Sequence, residues 1–300
     1  MTLHQRLEQY GQETLRLEAR DKVERRLIDI AAAVMSDDQL SRSFTHPGLC
    51  LTILPYRRRP DTEIWIRRNG PMTLTVQPTA DHTGRFYGVP YGSRARLIII
   101  FLQTEAIKSQ TRQIELGRSM RSWLHNMGVA IGGPNLKEVR QQAKRIERSL
   151  LSFAYENNNG IVSWQDTIIR GSFGCTSSND ILAVELSESF YKAITEHPVP
   201  LAEAAIRTLA DKSTALDIYM WLAYRSHVLE KPLLVSWPAL HAQFGAATAQ
   251  LKHFKHRFSR DLQIALAAYP GSRADLLPHG IRLHPADPPT GRSRLKAIEA

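Results

Sequence analysis

Cysteine is nearly absent from this chain of 300 residues, which carries only Cys50 and Cys175. Two thiols so far apart supply neither a disulfide framework nor the four ligands of a structural zinc site, and unpaired thiols suit a reducing compartment. Long apolar runs are missing too. The longest, Leu97 to Leu102, falls far short of the roughly 20 residues needed to cross a bilayer. The N-terminal stretch MTLHQRLEQYGQETLRLEARDKVERR mixes charges at helical spacing and has no apolar signal core. The expectation is a cytoplasmic chain with no membrane partner. Acidic residues are in deficit, with 29 Asp and Glu against 39 Lys and Arg and a formal net charge of +10, which favours a polyanionic partner. Catalytic signatures are lacking as well. There is no G-x-x-x-x-G-K-[ST] phosphate loop, no G-x-S-x-G elbow and no His-apolar-His pair feeding a tyrosine. His253 and His256 stand three apart with no Cys or carboxylate at ligand spacing, whereas zinc helices usually pair His at four. No enzyme, catalytic residue, metal or cofactor is expected.

What is present begins with residues 1 to 35, which read as one charged helix whose sparse apolar face is Leu7, Leu15, Val23, Leu27 and Ile30, an appendage to the rest. From Cys50 the runs LCLTILPYRRRP and TEIWIRRNGPMTLTVQP alternate apolar and polar residues, with Asn69-Gly70-Pro71 as a hairpin turn. Arg57, Arg58 and Arg59 read as a solvated loop. Ser93 then stands at the N-cap of a buried helix, RARLIIIFLQTEAIK. After it come a short strand, RQIEL, a helix that Gly128 stops, a Gly132-Gly133-Pro134 turn and a long helix from Asn135. In that helix Leu136, Val139, Ala143, Ile146, Leu150 and Phe153 share one face, and Lys137, Arg140, Lys144, Arg145 and Arg148 point elsewhere. IVSWQDTIIR and ILAVELS follow as strands joined by GSFGCTSSND. Trp123, Trp164, Trp221 and Trp237 lie on apolar faces and read as core.

Helix, short strand, helix, turn, helix and two-stranded hairpin is the order of a winged helix, and it occurs a second time without a residue-level repeat. STALDIYMWLAYRS is the second central helix and LLVS its short strand. SWPALHAQFG has Ser236 as cap, Pro238 in the first turn and Gly245 as stop. Thr248 is placed to cap the next helix, in which Leu251, Phe254, Phe258, Leu262 and Ala265 face inward. Lys252, His253, Lys255, His256, Arg257 and Arg260 surround the outside with no acid before Asp261. ADLL, Pro278-His279-Gly280 and IRLHP close the unit as a hairpin, and a loose basic tail follows. A helix that buries one face and offers the other, free of acids, to phosphates on both sides of a major groove is what duplex reading requires. A merely solvated basic face is the competing reading. For residues 137 to 148 the two readings weigh equally, because Glu138 and Glu147 dilute the charge.

The segments YRRRPDTEIWIRRNGPMTLTVQP and YGVPYGSRARLIIIFLQTEAIKSQTRQIELGRSMRSWLHNMGV strongly resemble the RepA-type plasmid replication initiators, over roughly residues 45 to 285, with GVPYGSRARL and RQIELG as the most specific part. The resemblance implies a non-enzymatic protein that binds repeated sites (iterons) in double-stranded DNA at a plasmid origin, helps melt adjacent DNA and recruits the host replication proteins, among them helicase and host initiator. It also implies a possible homodimer. Carried over by element order, Lys252, Lys255, His256, Arg257 and Arg260 face the iteron with Arg282 on the wing, and Arg140, Lys144 and Arg148 support. The fold class expected is α+β, mostly α, with tandem winged-helix domains. The expected divisions are an N-terminal charged extension at 1–40, a first winged-helix domain with its preceding β element at 41–190, a second at 191–286 and a basic tail at 287–300. A winged-helix repressor binding one operator as a dimer, and a metal-dependent primase or nicking enzyme, are the rival classes.

Overall fold

The computed structural model describes residues 1–37, 41–129, 132–157, 160–175 and 180–290. The tip of the GSFGCTSSND connection, the Trp164 side chain and most of the expected tail lie outside the described residues.

The N-terminal segment folds as three helices, not one: α1 (Leu3–Tyr10), α2 (Gln12–Glu18) and α3 (Lys22–Met35). Gly11, at φ 74°, breaks the first joint, and extended Ala19 with Asp21 capping the Glu24 amide breaks the second. Three short helices can fold back on each other, so Leu7, Leu15, Ile28 and Ala31 are buried and α3 packs on later helices.

Strand β1 (Arg42–Thr45) leads to α4 (Pro47–Leu51), where the alternating pattern predicts a strand. Pro47 opens the turn, the Gly48 amide donates to His46 Nδ1 at 3.1 Å, and Gly48 lies so close to the Phe153 ring that an added Cβ would sit 2.6 Å from it. Next come β2 (Trp65–Asn69) and β3 (Met72–Pro78), a hairpin closed with Asn69 opposite Met72 and Gly70 at φ 55°. α5 (Gly92–Ser109) is buried on every side over most of its length. It starts at Gly92 after Tyr91, so Ser93 lies inside the first turn and is not its cap.

β4 (Gln113–Glu115), α6 (Gly117–Asn126) and α7 (Gly133–Glu147) follow. α7 stops one residue before the polypeptide turns into a strand, β5 (Ser149–Asn157), so Leu150 and Phe153 do not extend the helix face. SLLSFAY satisfies both a helical and an alternating period. The Ser149 hydroxyl bonds the Arg145 carbonyl at 2.7 Å, and β5 pairs along its length with β3, which decides for the strand. β6 (Gly160–Thr167), β7 (Ile169–Cys175), β8 (Asp180–Leu186), α8 (Glu188–Glu196), β9 (Val199–Ala202), α9 (Glu203–Leu209) and α10 (Ser213–Val228) complete the middle of the chain. The last part is β10 (Leu233–Ser236), α11 (Trp237–Phe244), a 3-10 turn at Gly245–Ala247, α12 (Leu251–Ala267), β11 (Ala274–Leu277) and β12 (Gly280–Leu283).

The described residues are mostly helical and form four small antiparallel sheets, ordered β1-β9, β2-β3-β5-β6, β4-β8-β7 and β10-β12-β11. Two of these share one connectivity. In each, a buried helix (α5 or α10) precedes a short strand, two helices and two strands, and the first strand pairs with the last. The copies differ by the β5–β6 hairpin inserted after α7, which extends the β2–β3 sheet. Among the described residues a continuous apolar cluster runs through both, and α5 and α10 touch within it.

Candidate nucleic-acid interface

The residues around α12 are held by a short, heavily tied turn. Ser236 Oγ accepts from the Ala239 amide at 3.3 Å, and Pro238 lies in the first turn of α11, as the SWP sequence predicts. α11 ends at Gly245. His241 Nε2 meets the Thr248 carbonyl at 2.6 Å and its ring stands edge-on to Phe254 at 5.0 Å. Thr248 is not the cap of α12, because the 3-10 turn moves the helix start to Leu251 with Gln250 as N-cap and no side-chain bond.

Phe254, Phe258, Leu262 and Ala265 are buried as their spacing demands, and Leu251 is half-buried. Phe258 packs on Phe254 and Phe244, each at 5.3 Å, which fixes the rotation of the helix. That rotation leaves Lys252, His253, His256, Arg257 and Arg260 exposed, with Lys255 half-buried beside them. Lys255 Nζ lies 5.6 Å over the Trp237 ring, and Arg257 Nη1 is 3.5 Å from Thr248 Oγ1. Among the described residues the ion pair on this face is Arg260 Nε with Asp261 Oδ1 at 3.5 Å, and burial pushes the Asp261 carboxyl up from its ordinary range. Among the described residues the open side of the helix therefore presents Lys252, His253, His256, Arg257 and Arg260.

On the adjoining hairpin Arg282 is exposed and stands opposite Asp275 in the register. The Asp275 carboxylate is already engaged by His284 at 2.8 Å and Arg273 at 3.1 Å, bonds that hold it below the usual carboxylate range.

The cations of α7 are arranged differently. Arg140 is exposed, but Lys144 Nζ is 2.9 Å from Glu147 and Arg148 Nη2 is 3.6 Å from the same carboxylate, to which Ser172 also donates at 2.7 Å. Arg145, grouped with them by sequence, is buried. It bonds Asp61 at 3.1 Å and the Val89 carbonyl at 3.2 Å, and stacks over Tyr91. A helix with a wide apolar stripe has little free surface, so one cation of these five turning inward requires a carboxylate waiting there, and Asp61 lies too far away in sequence to be read as its partner. Trp237 and His241 were equally invisible as tethers of the α12 face, although the core placement of Trp123, Trp221 and Trp237 holds.

The GVPYGSRARL segment is architectural. Gly88, at φ 78°, faces Arg145 and Asp61 with no room for a Cβ, and the Tyr91 amide donates to Gln142 at 3.0 Å. Arg94 pairs with Asp211 at 2.9 Å, and Arg96 with Asp217. The segment thus joins α5, α7 and α10 rather than lining an open surface.

Residues 89–237 match the family model described as plasmid encoded RepA protein. α12 and the β11–β12 hairpin lie beyond the matched stretch. No curated protein matches the chain. Among solved structures, domains 2 and 3 of RctB in selenomethionine form match with a TM-score of 0.50 at 11% identity, over 77% of this chain and 93% of that one. A second structure of RctB domains 2-3 gives 0.48 at 10% identity, over 79% and 94%. At such identity the first likeness is one of fold. Among the described residues no helix is long and apolar enough to cross a membrane, and no group of His, Cys, Asp or Glu is gathered to hold a metal.

Proposed function

We propose that this chain is a plasmid replication initiator that binds repeated duplex sites at its origin, opens the adjacent DNA and recruits the host helicase and initiator, acting in the cytoplasm without chemistry of its own. The two units of shared connectivity are read as tandem winged helices, α11–α12 as the helix-turn-helix of the second, and β11–β12 as its wing. The observation that carries the reading is the open cationic face of α12, Lys252 to Arg260, backed by Phe254 and Phe258. A helix about 10–12 Å across fits the major groove, and cations at its flanks displace counterions from phosphate. The plasmid RepA match over 89–237 supports the biological setting.

In this reading base contacts come from Arg257 and its neighbours, and binding energy at clustered sites is spent on deforming AT-rich DNA beside them. Footprinting on DNA flanking the protein's own gene, with permanganate reactivity on the same fragment, tests it. Repeated protected sites with reactive thymines next to them are expected. A single protected palindrome with no permanganate signal would make the protein an operator-binding repressor instead.

A further inference from the structure

We propose that Trp237 is a positioning residue for DNA contact, locking the β11–β12 turn to α12 and pre-ordering Lys255. The proposal rests on the reading of α12 as the duplex-facing helix. Trp237 is the first residue of α11, and its place there sends its two donors to one target. Its backbone amide donates to the His279 carbonyl at 3.1 Å, and its indole Nε1–H is shared between the carbonyls of Leu277 at 3.2 Å and Pro278 at 3.1 Å. Three successive carbonyls of the turn are thereby gathered on one residue. A tryptophan that only filled core volume would need one acceptor for its indole N–H.

The ring itself points the other way, toward α12. Phe258 stands edge-on to it at 6.1 Å, and Lys255 Nζ lies over its face at 5.6 Å. A lysine ammonium is a point charge on a flexible stem that loses conformational freedom when it engages phosphate. Resting on the electron-rich indole face, with its stem partly covered, Lys255 has given up part of that freedom before DNA arrives. The turn carries exposed His279, and β12 carries exposed Arg282. One side chain therefore sets the spacing between the helix cations and the hairpin cations, a spacing that phosphates on the two sides of a groove would read.

The test uses the full chain and duplexes selected by the native protein from a random-sequence pool. Trp237→Phe keeps a ring but removes the indole donor and the larger face, and Lys255→Gln removes only the charge. Affinity across salt concentrations, hydroxyl-radical protection and thermal melting are measured for both, for the double variant and for Arg257→Ala. Trp237→Phe is expected to melt cooperatively, bind about tenfold more weakly and lose about one from the salt slope. It should also lose protection at the phosphates under the hairpin turn, and Lys255→Gln should add little on top. Native slope and native protection in Trp237→Phe, alongside weakened Arg257→Ala, overturn the proposal and leave the α12 reading standing. Native binding in both removes the α12 reading and the proposal with it. Should Trp237→Phe fail to melt cooperatively, Lys255→Gln decides alone, an unchanged salt slope overturning the proposal and a drop of about one supporting it.

Discussion

Arg96 on α5 and Asp217 on α10 form a buried, bidentate ion pair, with Nε 2.6 Å from Oδ1 and Nη2 2.7 Å from Oδ2. The guanidinium also donates to the carbonyls of Leu54, Pro55 and Gly92 and lies over Tyr56 at 5.1 Å. Every direction around it is occupied, so the pair fixes both the angle between the two central helices and the path of the 53–56 loop. Through α10 it also sets the base on which α12 packs.

Removing one member of such a pair strands the other charge in the core. Arg96→Met and Asp217→Leu should each cost about 3–5 kcal/mol of unfolding free energy, and the double variant should recover much of it. Recovery will be partial, because the Leu54 carbonyl loses its Arg96 donor. Urea melts of the three variants measure this. Strict additivity of the two single losses would show that the partners do not act as a pair.

A second prediction concerns acid. His46 is half-buried against the Phe153 ring at 5.2 Å and its Nδ1 accepts from the Gly48 amide, and desolvation with the nearby His197 pushes its pKa down to about 4. Burial lowers His4 as well, against the opposing effect of its 2.9 Å bond to the Ala267 carbonyl. A histidine whose folded pKa lies below the unfolded value near 6.5 binds its proton more readily once the chain opens. The stability it gives is whole above pH 6.5 and is lost as pH falls toward 4, at up to about 1.4 kcal/mol per pH unit for each proton. His46→Asn keeps an acceptor for the Gly48 amide and should flatten part of that acid limb in thermal melts. An identical pH profile in the variant would place the acid sensitivity elsewhere.

Gly280 gives a third. It stands in β12 opposite Ser236, where a methyl group would collide with the Val235 carbonyl, a backbone atom that cannot swing aside. Gly280→Ala should separate β12 from β10, lower the melting temperature and expose the Trp237 indole, which tryptophan emission would register as a red shift. A variant with native emission and native melting would mean that the strands spread without cost.

What could be read from the residues alone follows one physical rule: local patterns were legible, and choices made by distant partners were not. Asn69-Gly70-Pro71 announced its hairpin, Ser236 and Pro238 their helix start, and Phe254 with Phe258 the buried side of α12, because each is settled within a few residues. The end of α7 is not legible locally, because Phe153 fits both periods and only pairing with β3 selects one. Nothing near Arg145 in sequence marks it as inward-facing, because its partner Asp61 lies 84 positions away. Charged residues at helical spacing continue across the N-terminal breaks at Gly11 and Ala19 and mask them in the sequence.

The last prediction separates the two sets of cations. Arg257 is exposed on α12 with a long 3.5 Å approach to Thr248 as its visible tie, so it is free to turn toward a base edge. Arg257→Ala should lower affinity for a specific site by about 1–3 kcal/mol and relax preference at one base position. Lys144 is already held by Glu147 at 2.9 Å and lies over Tyr87 at 5.9 Å. To reach phosphate it must leave that carboxylate, so Lys144→Ala should weaken all duplexes alike and lower the salt slope by at most about one. Binding to site and non-site duplexes across salt concentrations distinguishes the two. If Arg257→Ala changes neither affinity nor preference while Lys144→Ala alters base preference, the duplex docks on α7, and α12 is only a solvated basic face.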